Sequence, residues 1–134
     1  MAGMNYVVTG GTGFIGRRAV ARLLETDPDA TVWVLVRRNS LSRFERLTAD
    51  WGDRVLPLVG DLAAPDLGLT PGQLADLGTI DHVVHAAAIY DLTVGEDEQR
   101  TANVEGTRGV IALTRKLGAT LHHISSIAVA GTFD

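Results

Sequence analysis

Five short apolar runs punctuate the chain, and the stretches between them carry helical spacing. The runs are Asn5 to Thr9, Thr31 to Val36, Val55 to Val59, His82 to His85 and Thr120 to Ser125. The second reads T-V-W-V-L-V, nearly all apolar and rich in valine, which suits a strand buried on both faces in a parallel sheet. Phe14 to Glu25 sets Ile15, Ala19 and Leu23 in a stripe at i, i+4 and i+8, and Thr26-Asp27-Pro28 stops it, so a helix is predicted there. Leu41 to Trp51 predicts another, with Phe44, Leu47 and Trp51 on one side. Ala63 to Gly78 reads as a loop with a short helix opening at Pro71. A long helix is predicted over about Glu98 to Leu117, with Gly118 as its stop. Strands alternating with helices predict an α/β fold: a parallel sheet with right-handed crossovers and helices on both faces. Ligands of such sheets sit beyond the carboxyl ends of the strands.

The first of those ends carries T-G-G-T-G-F-I-G, Thr9 to Gly16. Gly10 lets the chain leave the strand through a turn that a Cβ would obstruct. Gly13 allows backbone N–H groups to approach a pyrophosphate, and Gly16 allows the new helix to pack closely on the strand. The helix start then offers free N–H groups and a positive dipole end. A dinucleotide site is expected, with Thr12, Phe14 and Ile15 completing its first turn. The bland alternative, a glycine-rich turn with no ligand, loses weight because the motif ends a strand, opens a helix and begins a regular β-α alternation.

The other strand ends add candidates. Arg37 and Arg38 follow strand two by about the spacing at which an acidic residue would bond the ribose 2′-OH of NAD and an arginine would suit the 2′-phosphate of NADP. No acidic residue lies between Thr31 and Ser42, so NADP is favoured over a merely solvated basic turn. Asp61, after strand three, either accepts a bond from the adenine amino group, with Leu62 on the ring, or closes an Asx-turn. Ala86, Ala87 and Ala88, after strand four, leave room for the cofactor backbone. Asn103 falls on the sheet-facing side of the long helix, where a buried amide needs partners; it is a bracket or an organiser of the active site. Ser125 and Ser126 either cap the exit of strand five or place a hydroxyl that polarises a substrate carbonyl. His82, His85, His122 and His123 lie in pairs on strands without a supporting acid or cysteine pattern, so they read as core or loop histidines and no metal site is expected.

Composition narrows the class. The 134 residues suffice for one domain with a real core, and residues 1–134 are expected to form a single nucleotide-binding unit. Apolar content is 46% and charged content 21%, ordinary for a globular chain. The net charge of −4 argues against a nucleic-acid footprint. There is no cysteine, which excludes disulfides and thiolate metal sites. No apolar run reaches the roughly 18 residues of a membrane span, and Met1-Ala2-Gly3-Met4-Asn5 has no secretory pattern. A cytoplasmic protein fits.

With these residues placed, the chain resembles the extended short-chain dehydrogenase/reductase superfamily. The resemblance rests on T-G-G-T-G-F-I-G (Thr9 to Gly16), G-D-L (Gly60 to Leu62), H-A-A-A (His85 to Ala88), N-V-E-G-T (Asn103 to Thr107) and I-S-S-I-A-V-A-G (Ile124 to Gly131), in the family's order over nearly the whole chain. It implies a Rossmann-type doubly wound sheet with strand order 3-2-1-4-5. Within the superfamily, G-D-L-A-A-P-D-L-G-L-T (Gly60 to Thr70) and the V-L-V-R exit of strand two look like fatty acyl-CoA reductases and thioester reductase domains. That likeness implies NADPH-dependent hydride delivery to an acyl thioester, giving an aldehyde or alcohol, with Ser126 as the catalytic hydroxyl and Asn103 as the family's helix asparagine. A sugar-nucleotide epimerase or dehydratase, a hydroxysteroid-type dehydrogenase and a non-catalytic NADP sensor remain open on the same fold, as does a homodimer. One departure concerns the family's general acid, a Tyr with a Lys four residues later. Only Tyr6 and Tyr90 are present, and Gly10 and Val94 stand four beyond them. The chain is therefore expected to be the amino-terminal part of a longer reductase, without turnover by itself.

Overall fold

The computed structural model describes residues 3–10, 14–86 and 96–124; for residues 14–15 and 96–102 it describes the backbone alone. Among these residues five strands form one sheet: β1 (Asn5–Thr9), β2 (Thr31–Val36), β3 (Val55–Val59), β4 (His82–His85) and β5 (Thr120–His123). Their order is β3-β2-β1-β4-β5 and every pair is parallel. This is the Rossmann-type arrangement that the resemblance implies. Among the described residues four α-helices accompany it: α1 (Phe14–Thr26), α2 (Leu41–Thr48), α3 (Pro71–Leu77) and α4 (Glu96–Leu117).

The period-two geometry of strands explains why both faces are covered. Val7, Leu35, Leu58 and Val83 turn to one face and pack with Leu77 of α3 and with Val110 and Leu113 of α4. Their neighbours Val8, Val34 and Val84 turn to the other and pack with Val20 and Leu24 of α1 and Phe44 of α2. Two apolar layers thus sandwich β1 and fix the positions of the strand ends. Pro57, which cannot donate to a ladder, sits in β3 at the sheet edge, where the missing donor costs least.

The structure shortens two predicted elements. The second helix ends at Thr48 rather than Trp51; Thr48 Oγ1 donates to the Phe44 carbonyl at 2.8 Å, and residues Ala49–Arg54 form 3₁₀ turns broken by Gly52 at φ 57°. β5 ends at His123, although the Ile124 N–H still reaches the His85 carbonyl at 2.9 Å. Ser125, expected in this strand, lies outside the described residues.

Residues 61–69 do more than connect. Asp66, Leu67 and Gly68 are successive left-handed residues, at φ 53°, 58° and 65°, a run that L-residues avoid. Buried apolar area offsets the strain: Leu67 is 1% exposed and lies in the core beneath α4. Three backbone bonds hold the turn, Asp61 N–H to the Leu67 carbonyl, Leu67 N–H to Ala64 and Leu69 N–H to Asp66, at 2.8 to 3.1 Å. Gly109 supplies the space, since a Cβ there would stand 2.7 Å from Leu67 Cδ2.

Candidate cofactor site

The carboxyl ends of β1, β2, β3 and β4 lie side by side, and Gly10, Arg37, Arg38, Asp61 and Ala86 follow them. Gly10 leaves β1 at φ 72°, a conformation that favours glycine. Gly16 is buried in the first turn of α1, consistent with close packing of the helix on the sheet. Phe14 and Ile15 open α1. Thr12, Gly13, Ala87, Ala88, Ser125 and Ser126 lie outside the described residues.

Beyond β2 and β3 opens a cleft of about 720 Å³, lined by Arg37, Arg38, Asn39, Asp61, Thr70 and Gln73 along with Val59, Gly60 and Gly68. Arg37 and Arg38 are exposed and enter it from the 3₁₀ turn after β2. Surface ion pairs such as Arg22–Glu25 and Arg108–Glu105 lie elsewhere. No carboxylate among the described residues neutralises Arg37 or Arg38, so the cleft presents two open guanidinium groups. Asp61 closes an Asx-turn, its Oδ1 accepting from the Ala63 N–H at 2.9 Å, and lines the same cleft. The turn-closing role open to Asp61 is thus realised, without removing the residue from the site. Leu62 packs under α4, where a Cβ on Gly106 would meet its side chain at 3.5 Å.

Asn39, Thr70 and Gln73 line the cleft without having stood out among the sequence candidates. The last two carried a signal. Thr70-Pro71-Gly72-Gln73 is a capping box at the start of α3: Thr70 Oγ1 accepts from the Gln73 N–H at 3.1 Å, and Gln73 Oε1 from the Thr70 N–H at 2.9 Å. Gln73 Nε2 also donates to the Val59 carbonyl at 2.8 Å, tying α3 to the end of β3 and making a rigid wall.

The chemistry of these donors fits a dinucleotide. A helix N-terminus such as that of α1 suits a pyrophosphate, and the arginine pair suits a further phosphate. Arg17, in the first turn of α1, adds a buried Nε with no hydrogen-bond partner.

On β4 and β5 the histidines divide. His82 and His122 bond each other at 3.0 Å toward the open edge. His85, by contrast, is 3% exposed. Its Nδ1 lies 2.6 Å from Thr9 Oγ1 and its Nε2 3.3 Å from Thr107 Oγ1. Burial, followed by the nearby His123 ring stacked 5.1 Å away, lowers its pKa to about 4. The folded state therefore favours the neutral ring, and the unfolded state binds the extra proton between about pH 6.5 and 4. This stabilisation is complete above pH 6.5 and is lost as pH falls through that window. Chemical denaturation should show about 2 kcal/mol less stability at pH 4.5 than at 6.5 from this group. In His85→Gln that part of the pH slope should vanish; an unchanged slope would rule out the assignment. Asn103 is half-buried on α4, one turn before Thr107.

Comparison with known proteins places this geometry. The family model described as male sterility protein matches residues 8–134. A linear gramicidin synthase protein of Brevibacillus parabrevis is 33% identical over 134 residues, covering 90% of this chain and 3% of that protein. A Drosophila melanogaster protein named as a candidate fatty acyl-CoA reductase is 33% identical over 128 residues, covering 84% of this chain and 24% of that protein. The crystal structure of the terminal R domain from the myxalamid PKS-NRPS pathway superimposes with a TM-score of 0.78 at 27% identity, covering 96% of this chain and 36% of that one. The chain thus spans a quarter or less of those two curated relatives and about a third of the solved domain. No described helix is long and apolar enough to cross a membrane. The chain belongs to the male sterility protein family, NAD(P)-binding extended short-chain reductases related to fatty acyl-CoA reductases and to the reductase domains of peptide and polyketide synthetases.

Proposed function

We propose that this chain binds NADPH and serves a reductase that acts on a fatty acyl-CoA or another acyl thioester. The observation that carries the cofactor choice is the pair of unneutralised arginines, Arg37 and Arg38, lining the cleft beyond β2 with no acidic residue between Thr31 and Ser42. The substrate class is supported by relatives whose names denote a fatty acyl-CoA reductase and the terminal R domain of a PKS-NRPS biosynthetic pathway. When bound, NADPH supplies a hydride, which with a proton converts an acyl thioester to an aldehyde and a free thiol.

The chain's own residues have the following roles in this reading. Gly10, Thr12, Gly13 and Gly16, with Phe14 and Ile15, hold the pyrophosphate at the start of α1. Arg37 and Arg38 grip the 2′-phosphate, and Asp61 and Leu62 receive the adenine. Ala86, Ala87 and Ala88 leave room for the cofactor to pass. Ser126 donates a hydrogen bond to the substrate carbonyl oxygen, Ser125 borders the cofactor, and Asn103 organises the site from α4. Residues 1–134 act as one nucleotide-binding unit. A cytoplasmic location fits this chemistry.

The test supplies NADPH and a series of acyl-CoA thioesters to the longest natural protein that contains this chain and follows NADPH absorbance. Loss of NADPH in step with released CoA thiol is expected. NADPH retained on the protein, with no net oxidation in the presence of any thioester, would contradict the substrate assignment.

A further inference from the structure

We propose that the arginine cleft beyond β2 and β3 also accepts the 3′-phosphoadenosine diphosphate head of coenzyme A, so that free coenzyme A competes with NADPH for it. The proposal rests on the cofactor reading above and adds a second ligand, and with it a product feedback, to that site.

The two heads are positional isomers. NADPH carries its extra phosphate on the 2′ oxygen of the adenosine ribose, and coenzyme A carries one on the 3′ oxygen of the neighbouring carbon. A site that separates them needs donors held rigidly at one position or a repelling charge at the other. The cleft is built otherwise. Arg37 and Arg38 are consecutive, exposed and carried at the start of a 3₁₀ turn. No hydrogen bond or ion pair within the described residues fixes either guanidinium. Each therefore keeps its rotamer freedom, and a guanidinium has five N–H donors for phosphate oxygens.

The remaining walls do not select a position either. Asp61 is the carboxylate among the described lining residues, and its Oδ1 is engaged by the Ala63 N–H at 2.9 Å. Asn39, Thr70 and Gln73 are neutral. Thr70 Oγ1 accepts from the Gln73 N–H, which leaves its hydroxyl proton to donate, and Gln73 Nε2 spends one of its two N–H bonds on the Val59 carbonyl. Such donors serve a phosphate on either oxygen. The volume of about 720 Å³ is on the scale that holds a whole small ligand. Reduction of an acyl-CoA releases coenzyme A as the free thiol, so the product returns to the ground that the next NADPH must occupy.

The experiment uses the longest natural protein that contains this chain. Calorimetric titration compares adenosine 2′,5′-bisphosphate, adenosine 3′,5′-bisphosphate and adenosine 5′-monophosphate, none of which carries the pantetheine arm. The 3′,5′ isomer should bind within about tenfold of the 2′,5′ isomer, and both at least about tenfold more tightly than the monophosphate. Arg37→Ala combined with Arg38→Ala, confirmed folded by circular dichroism, should bring both isomers to within about threefold of the monophosphate. Coenzyme A should displace bound NADPH, and dephospho-coenzyme A, which lacks the 3′-phosphate, should do so at least about tenfold less well. A 3′,5′ isomer no tighter than the monophosphate, beside a tight 2′,5′ isomer, overturns the proposal and leaves the cofactor reading standing. A 3′,5′ isomer whose affinity survives the double substitution overturns it too, because the ligand then sits elsewhere. So does coenzyme A that displaces NADPH at least about tenfold less well than adenosine 3′,5′-bisphosphate, since the free bisphosphate would then be the occupant. If neither isomer exceeds the monophosphate, the cofactor reading itself falls, and this proposal with it.

Discussion

Arg37→Ala combined with Arg38→Ala should weaken NADPH binding about 100-fold while changing NADH binding less than about threefold, since a charge-assisted bond to phosphate contributes roughly 1.5–3 kcal/mol and each 1.4 kcal/mol is tenfold. Both side chains are exposed, line the same cleft and have no carboxylate partner among the described residues. Their charge is therefore available, and removing it relieves no ion pair that could mask the loss. NADH and NADPH share every group except the 2′-phosphate, so the difference between the two affinities isolates the arginines. The measurement belongs at low ionic strength, because exposed charges are screened by salt. Equal losses for both cofactors would mean that the arginines support the loop rather than the phosphate.

Gly60→Ala should destabilise the fold by about 2–3 kcal/mol, lowering the melting temperature by roughly 6–15 °C in a domain of this size. The reason is space, not φ. A Cβ on Gly60 would stand 2.5 Å from the Leu67 carbonyl oxygen, 2.8 Å from Leu35 Cδ1 and 3.0 Å from Leu69 Cδ2. None of these yields easily. Leu35, Leu67 and Leu69 all belong to the core layer beneath α3 and α4. The Leu67 carbonyl holds the Asp61 N–H at 2.8 Å, and Leu67 itself is pinned in a left-handed turn. Pushing the carbonyl away breaks that bond and disturbs Asp61 and Gly68, both walls of the cleft. Cofactor affinity should fall with stability. A melting temperature within about 3 °C of wild type would show that the turn yields more readily than its packing implies.

The two effects arise from different kinds of information in the sequence. Arg37 and Arg38 were legible because strand spacing and side-chain chemistry are local: a valine-rich run ends, and two cations follow. The strand boundaries of β1 to β4 were legible for the same reason, as apolar runs closed by turn residues. The left-handed turn at Asp66 to Gly68 was not. A leucine at positive φ runs against its own propensity and holds only because Gly60 and, far along the chain in α4, Gly109 leave a slot that fits it. The G-D-L-A-A-P-D-L-G-L-T run could be noticed as a likeness, but its physical reason is tertiary. The second helix failed at its end for a related cause: Trp51 keeps the apolar spacing, yet Gly52 at φ 57° ends helical geometry beside it.

His85 shows the limit from the other direction. Among four histidines on two neighbouring strands, sequence spacing could not single out the one that joins hydroxyls from a strand and a helix. Thr9 and Thr107 lie 76 and 22 residues from it, and only the β1–β4 ladder and the packing of α4 bring them together. The expectation of core or loop histidines suits the burial of His85 but overlooks what its two nitrogens hold.

The most direct test of the account is the pair of dissociation constants of the wild-type chain for NADPH and NADH, measured side by side. The open arginine pair predicts that NADPH binds at least about tenfold more tightly, one phosphate contact or more in its favour. Equal affinities, or a preference for NADH, would contradict the assignment of the cleft beyond β2 to a 2′-phosphate.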